Sequence, residues 1–227
     1  MTPRDRLQRR VVPRLVVHLS TVRAPARAAA LLRRAAGRAD TVRLYVAYDD
    51  PYSAVAVLGL TDRLRGRRAR LLIEPVVQRG IPGDPAVEAK RRYAVVDARR
   101  LAARDDRTLT RSEPLRPEAT AFLAGWTAAI GDPVRRAAFS AAAMAQLWCA
   151  SSGPVDRAPF AALWDEHVGG PPPADDGGTA LPAERGMRLR RLYDTPVAVV
   201  HGQWFFAHER LPQIEHRLDE LAGRAGA

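Results

Sequence analysis

The 227-residue sequence predicts an α/β fold, and three stretches carry that prediction. Residues 42–46 and 69–77 are short β-branched runs on either side of an apolar helical stretch, residues 53–65, which makes a β-α-β unit. Residues 84–169 read as helix almost throughout. Residues 195–206 read as a β-hairpin that hands over to a closing helix. A β-α-β crossover places its two strands parallel and right-handed.

The elements follow in order. Residues 1–40 are basic, with Leu7, Val11, Val12, Leu15, Val16 and Leu19 at helical spacing around Pro13 and a second helix over 25–36. They read as a helical extension packed on the domain, with a membrane-surface or partner-binding arm as the sharper alternative. The first strand runs into Tyr48-Asp49-Asp50-Pro51-Tyr52-Ser53, where it becomes a helix. A strand that turns into a helix aims backbone N–H groups at the turn. The second strand stops at residues 78–83. Asp84-Pro85 suits the cap and first turn of the next helix, whose apolar positions are Val87, Tyr93, Val96, Ala98 and Leu101. Helices then follow over 118–130 (Phe122, Leu123 and Trp126 inward), 133–150 and 160–167. Residues 169–178, rich in glycine and proline, read as a loop. Residues 181–191 form an amphipathic helix through Met187 and Leu189. The hairpin turns at His201-Gly202, and residues 211–221 close the chain with Ile214, Leu218 and Leu221 on one face. β-α-β, helices, then β-β-α is the order of a thioredoxin-like core (41–83 and 181–227) carrying an inserted all-helical subdomain (84–180), behind the N-terminal extension (1–40).

Composition narrows the function classes. Of 36 basic residues only Lys90 is lysine, so 36 − 1 = 35 are arginine; with abundant alanine this points to GC-rich, bacterial coding. The net charge of +11 is spread along the chain and aromatics are only 6%, so no base-stacking platform or recognition helix emerges and specific nucleic-acid binding is not expected. No apolar run approaches the ~18 residues of a membrane span, and no secretory signal is visible, so a cytoplasmic protein is expected. Cys149 is the only cysteine, which rules out an intramolecular disulfide and any cysteine-based zinc spacing. It lies in an alanine-rich helix and reads as a structural thiol. No metal site is expected.

The two sharp stretches also resemble a family. Asp50-Pro51-Tyr52-Ser53 after a strand is similar to the Ser-Pro-Tyr-Ser turn of the DsbA-like thioredoxin-fold branch that holds 2-hydroxychromene-2-carboxylate isomerases and kappa-class glutathione transferases. Thr195-Pro196, followed by Gly202-Gln203-Trp204-Phe205-Phe206-Ala207-His208-Glu209-Arg210-Leu211, resembles the same branch's ending. Ala89-Lys90-Arg91-Arg92-Tyr93, with Asp97 and Arg100, is similar to its first inserted helix. The resemblance covers about residues 41–221. It implies an isomerase or transferase that uses glutathione or another low-molecular-weight thiol on a small-molecule substrate. It further implies that Pro196 is the cis-proline beside the thiol, that Thr195 offers it backbone hydrogen bonds, and that Glu209 helps hold a γ-glutamyl amine. A homodimer is left open.

One departure stands at the centre. Aspartate occupies position 50, where the family has a serine that donates to the thiol sulfur. An ionised aspartate cannot donate to a thiolate and repels it. It can take a proton from a thiol or an activated C–H, and it donates only if burial beside Asp49 raises one carboxyl of the pair. Dithiol–disulfide exchange is excluded at the motif, because neither position 50 nor 53 is cysteine. The catalytic candidates are therefore Asp50, Tyr52 and Ser53, and the thiol- or ligand-binding candidates Thr195, Pro196, His208 and Glu209. Each has a plainer reading: Asp50 as an N-cap, Tyr52 as packing, Ser53 as a first-turn polar residue, Thr195 and Pro196 as fold-defining. His18, His167, His201 and His216 read as solvated, and Trp204 and Phe205 as core. A thiol- or ligand-binding module without turnover is the alternative to an enzyme, and a scaffold using residues 1–40 is the third reading.

Overall fold

Alternation of apolar residues gives β1 (Asp40–Val46) two buried faces, and this strand sets the architecture. Val42, Leu44 and Val46 point into the larger core, while Tyr45 and Ala47 enter a smaller one with Val76, Met187 and Val197. The structure, a computed structural model, describes residues 32, 35–37, 39–174 and 181–222. β1 pairs parallel with β2 (Ala69–Pro75), Val42 opposite Leu71 and Leu44 opposite Ile73. On its other side it pairs antiparallel with β3 (Val197–Val200), which continues into β4 (Gln203–Phe206). The sheet order is β2-β1-β3-β4. The hairpin turns at His201 and Gly202, both at positive φ (47° and 85°), as a two-residue hairpin loop requires.

Seven α-helices cover the sheet among the described residues. α1 (Pro51–Arg63) joins β1 to β2. Between β2 and β3 come α2 (Val87–Ala103), α3 (Pro117–Ala129), α4 (Pro133–Ala145), α5 (Ala158–His167) and α6 (Pro182–Leu189), and α7 (Leu211–Ala222) ends the fold. α4 packs on β2 and α1, so the helical stretch shares one continuous core with the sheet. Edge-to-face aromatics bind its helices to one another: Phe122–Phe160 and Trp126–Trp164, each at 5.8 Å between ring centroids. After α4 the chain widens into one π-helical turn (Gln146–Ala150), which seats the fully buried Trp148 so that its Nε1 donates to the Tyr48 carbonyl at 3.1 Å. The Tyr48 hydroxyl in turn bonds Thr127 and Ser140. The insertion therefore holds the end of β1 from behind.

Several expectations are corrected here. α2 begins at Val87, and Asp84 forms an Asx turn to the Ala86 N–H at 2.9 Å in place of capping the helix. Its core face is Val95, Ala98 and Ala102, whereas Val87, Tyr93 and Val96 are exposed. Leu189 and Trp204 are exposed as well, Trp204 because β4 is the edge strand. His201 is not solvated: its Nε2 meets Asp40 Oδ1 at 2.9 Å. The helix expected over 133–150 is α-helical only to Ala145. The helices expected in residues 1–40 lie almost wholly outside the described residues. No helix among the described residues is long and apolar enough to cross a membrane.

Candidate functional site

The end of β1 and the start of α1 build the site from a single side chain. Asp50 takes an extended conformation (φ −102°, ψ 113°) and caps α1, its Oδ1 accepting the Tyr52 N–H at 3.2 Å, with Pro51 in the first turn. Its other oxygen, Oδ2, accepts two hydroxyls, Ser53 Oγ at 2.7 Å and Thr195 Oγ1 at 3.0 Å. Thr195 comes from the strand end across the sheet, where the Thr195–Pro196 peptide is cis. Capping and bridging are thus done by the same carboxylate. Ser53 Oγ also accepts the Ala47 N–H at 3.2 Å, which closes the turn onto β1.

Burial is the largest influence on Asp50, raising its pKa from the ordinary aspartate value to about 6. The Arg79 guanidinium and the Ser53 hydroxyl oppose that rise, and the charges of Asp49 and Asp194 add to it. Arg79, from the loop after β2, lies between two of these acids, 3.2 Å from Asp49 Oδ2 and 3.5 Å from Asp194 Oδ1. The same loop joins the strand-β3 approach through the Gly80 N–H, which donates to the Tyr193 carbonyl at 2.7 Å.

These groups wall a cavity of about 320 Å³. Its wall is made by Asp49, Asp50 and Tyr52 of the turn, by Arg79 and Ile81 of the loop after β2, by Tyr193, Asp194 and Thr195 ahead of β3, and by Val87, Lys90, Arg91 and Tyr93 of α2. The exposed apolar residues of α2 are therefore largely cavity wall. Tyr52 is held on two sides: its hydroxyl donates to Asp97 Oδ2 at 3.1 Å, and its ring stacks on His208 at 4.2 Å. Burial is the main reason its phenol pKa is raised, and the Asp97 bond adds to this; burial lowers that of His208.

Of the residues singled out from sequence, Asp50, Tyr52 and Thr195 line the cavity together. Ser53 is buried behind Asp50, Pro196 is buried beside Thr195, His208 lies behind Tyr52, and Glu209 is exposed outside the wall. Sequence reading passed over Arg79 and Asp194, and took Asp97 only as part of the helix resemblance. Asp97 had a signal, as it sits one turn beyond Tyr93 on a helix with a cavity-facing side. Arg79 had none, being one arginine among many. A smaller cavity of about 180 Å³ lies at the opposite end of β1, lined by Asp40, Arg67, Leu218 and Asp219. Arg67 is spent there on Glu215 and Asp219. No group of three or more His, Cys, Asp or Glu side chains suited to a metal ion occurs among the described residues. The half-buried Cys149 has its thiol pKa raised by burial, which keeps it protonated.

No protein-family model matches the sequence, and no curated protein matches it. Among solved structures, 2-hydroxychromene-2-carboxylate isomerase superposes with a TM-score of 0.57 at 15% identity, over 80% of this chain and 96% of that one. The chain has the DsbA-like thioredoxin fold. Proteus mirabilis ScsC in a transitional conformation also matches, with a TM-score of 0.43 and 15% identity over 97% of this chain and 94% of that one. Within the DsbA-like thioredoxin fold, the turn at Asp50 stands at the N-terminus of the first core helix and faces the cis-proline loop, which is why one carboxylate reaches both.

Proposed function

We propose that the protein is a thiol-dependent isomerase or transferase acting on a small organic substrate, with Asp50 transferring the proton. The observation that carries this reading is the Asp50 carboxylate itself: buried in the wall of a cavity, bonded to Thr195 beside a cis-proline, and with a pKa of about 6. At neutral pH it is mostly ionised, which makes it a general base toward a thiol S–H or an acidic C–H, and its raised pKa makes the return of the proton easier than from an ordinary aspartate. Glutathione or another low-molecular-weight thiol is the proposed co-substrate. Thr195 and the α1 N-terminus would hold it, and it would supply a nucleophilic sulfur. The Thr195 N–H is engaged by Asp194 Oδ1 at 2.9 Å, so a thiol ligand would take this hydrogen bond over from Asp194. Tyr52 is proposed to orient the substrate, Ser53 to hold Asp50, Pro196 to shape the thiol seat, His208 to back Tyr52, and Glu209 to reach the thiol only from outside the wall. The reading takes the protein as cytoplasmic.

The test is a thermal-shift screen of low-molecular-weight thiols and aromatic enol or keto acids, followed by turnover assays on the responders. Asp50→Asn is expected to lower turnover by about 10²-fold or more, the usual contribution of a positioned acid/base. Unchanged turnover in that variant would remove the catalytic role. One observation favours a second reading, a binding module without turnover: Asp50 already accepts three hydrogen bonds and serves as a cap. Ligand binding by calorimetry with no conversion of any responder would support that reading instead.

A further inference from the structure

Arg79 is a largely buried cation with more anions than it can neutralise. Its NH2 group contacts Asp49 Oδ2 and its NH1 group Asp194 Oδ1, while its Nε is buried without a hydrogen-bond partner. Asp50 feels the same charge, as the chief influence opposing its burial. Asp49 and Asp50 are neighbours on the site turn, Asp194 precedes Thr195 on the loop into β3, and Arg79 sits on a third segment, the loop after β2. A single guanidinium thus joins three of the segments that wall the cavity, and the Gly80–Tyr193 hydrogen bond fastens two of these, the loops carrying Arg79 and Asp194, next to it.

We propose that Arg79 is a positioning residue for Asp50: anchored on Asp49 and Asp194, it holds the Asp50 carboxylate in its ionised state at neutral pH and fixes the two loops around it. The proposal deepens the reading of Asp50 as the proton-transferring group and rests on that reading for its consequence in turnover. Without that cation a buried carboxylate flanked by two others would hold its proton to higher pH, and less of it would be available as a base at neutral pH. A planar guanidinium suits this place because it contacts two carboxylates in a fixed fork and still acts on a third. The other charged or titratable groups facing Asp50 lie further round the cavity. Lys90 is paired with Asp84 and Arg91 with Glu88 on or next to α2, Tyr52 is bonded to Asp97, and Tyr93 and Tyr193 line the wall. Arg79 contacts an acid of the turn directly, Asp49, and acts on Asp50 beside it through its charge.

The test reads Asp50 directly, by the carboxyl ¹³C resonance of labelled aspartate titrated from acid to alkaline pH and assigned by its loss in Asp50→Asn. In Arg79→Gln the Asp50 midpoint is expected to rise by about 1 unit or more, the effect of losing a close opposite charge. Arg79→Lys is expected to recover most of that shift, because it keeps the charge. An unchanged midpoint in folded Arg79→Gln overturns the proposal, and so does a midpoint in Arg79→Lys as high as in Arg79→Gln. If Arg79→Gln does not fold, Asp194→Asn serves in its place: removing that anion is expected to lower the Asp50 midpoint, and an unmoved midpoint overturns the proposal. The resonance reports the charge of Asp50 whether or not Asp50 is catalytic, so failure of this proposal and failure of the functional reading are told apart.

Discussion

Tyr52 shows how hydrogen-bond direction assigns a role at the scale of one residue. A phenol has one proton to give, and here it goes to Asp97 Oδ2 at 3.1 Å, away from Asp50. The ring, stacked on His208 at 4.2 Å, is what the cavity receives. In the proposed function Tyr52 therefore orients a ligand by shape and leaves proton transfer to Asp50. Tyr52→Phe keeps the ring and removes only the Asp97 bond, so it is expected to destabilise the fold by about 1 kcal/mol in a denaturant titration. Ligand affinity or turnover is expected to change by less than about threefold. A loss as large as that of Asp50→Asn would mean that the hydroxyl itself reaches the reacting atoms.

Among the elements, α1 is packed tightly enough to make a favourable local substitution unfavourable. Gly59 lies in its interior, and a Cβ there would meet Leu211 Cδ1 of α7 at 2.6 Å. Helix propensity alone gives Gly→Ala a gain of about 1 kcal/mol. Forcing a methyl into a filled contact costs about 1–3 kcal/mol, and Leu211 is buried with little room to turn. The packing loss wins, so Gly59→Ala is expected to lower the thermal midpoint; a raised midpoint would show that Leu211 changes rotamer freely. The same contrast between local and distant causes explains what the sequence disclosed. β1, α1, β2 and the hairpin were legible because apolar alternation, Asp-Pro at a helix start and His-Gly at a turn are short-range signals. The candidate turn at Asp50 followed from those elements, and Thr195 became a candidate through the family resemblance. The apolar positions of α2 did not single out its core face, because Tyr93 and Val87 line a cavity, and apolar wall and apolar core look alike in a sequence. Trp204 was misjudged because edge position depends on strand order. Arg79 and Asp194 are 115 residues apart (194 − 79) and meet only in the folded chain, so no local pattern could pair them.

Asp50 also ties the stability of the whole molecule to pH, and the sign can be worked out. Its pKa is about 6 in the folded protein against an ordinary 3.8, so the native state holds this proton more tightly than the unfolded chain. The resulting stabilisation is fully present below the unfolded value, near pH 4, and is lost as pH rises through about 6. A difference of about 2 units at 1.36 kcal/mol each makes this on the order of 3 kcal/mol. The half-buried Asp84 and the exposed Asp132, whose pKa values are lowered by their hydrogen bonds, act in the opposite sense as pH falls. Acidification also leaves the excess of arginines less compensated, which opposes folding. Wild-type stability alone would mix these contributions. Asp50→Asn separates them, because every other group titrates alike in both proteins and the neutral amide mimics the protonated acid. The two are expected to be about equally stable near pH 4, with Asp50→Asn pulling ahead by up to about 3 kcal/mol near pH 7.5. Chemical denaturation at both pH values measures the difference. A gap independent of pH would mean that Asp50 titrates alike in the folded and unfolded chain, and burial would then not be the force acting on it.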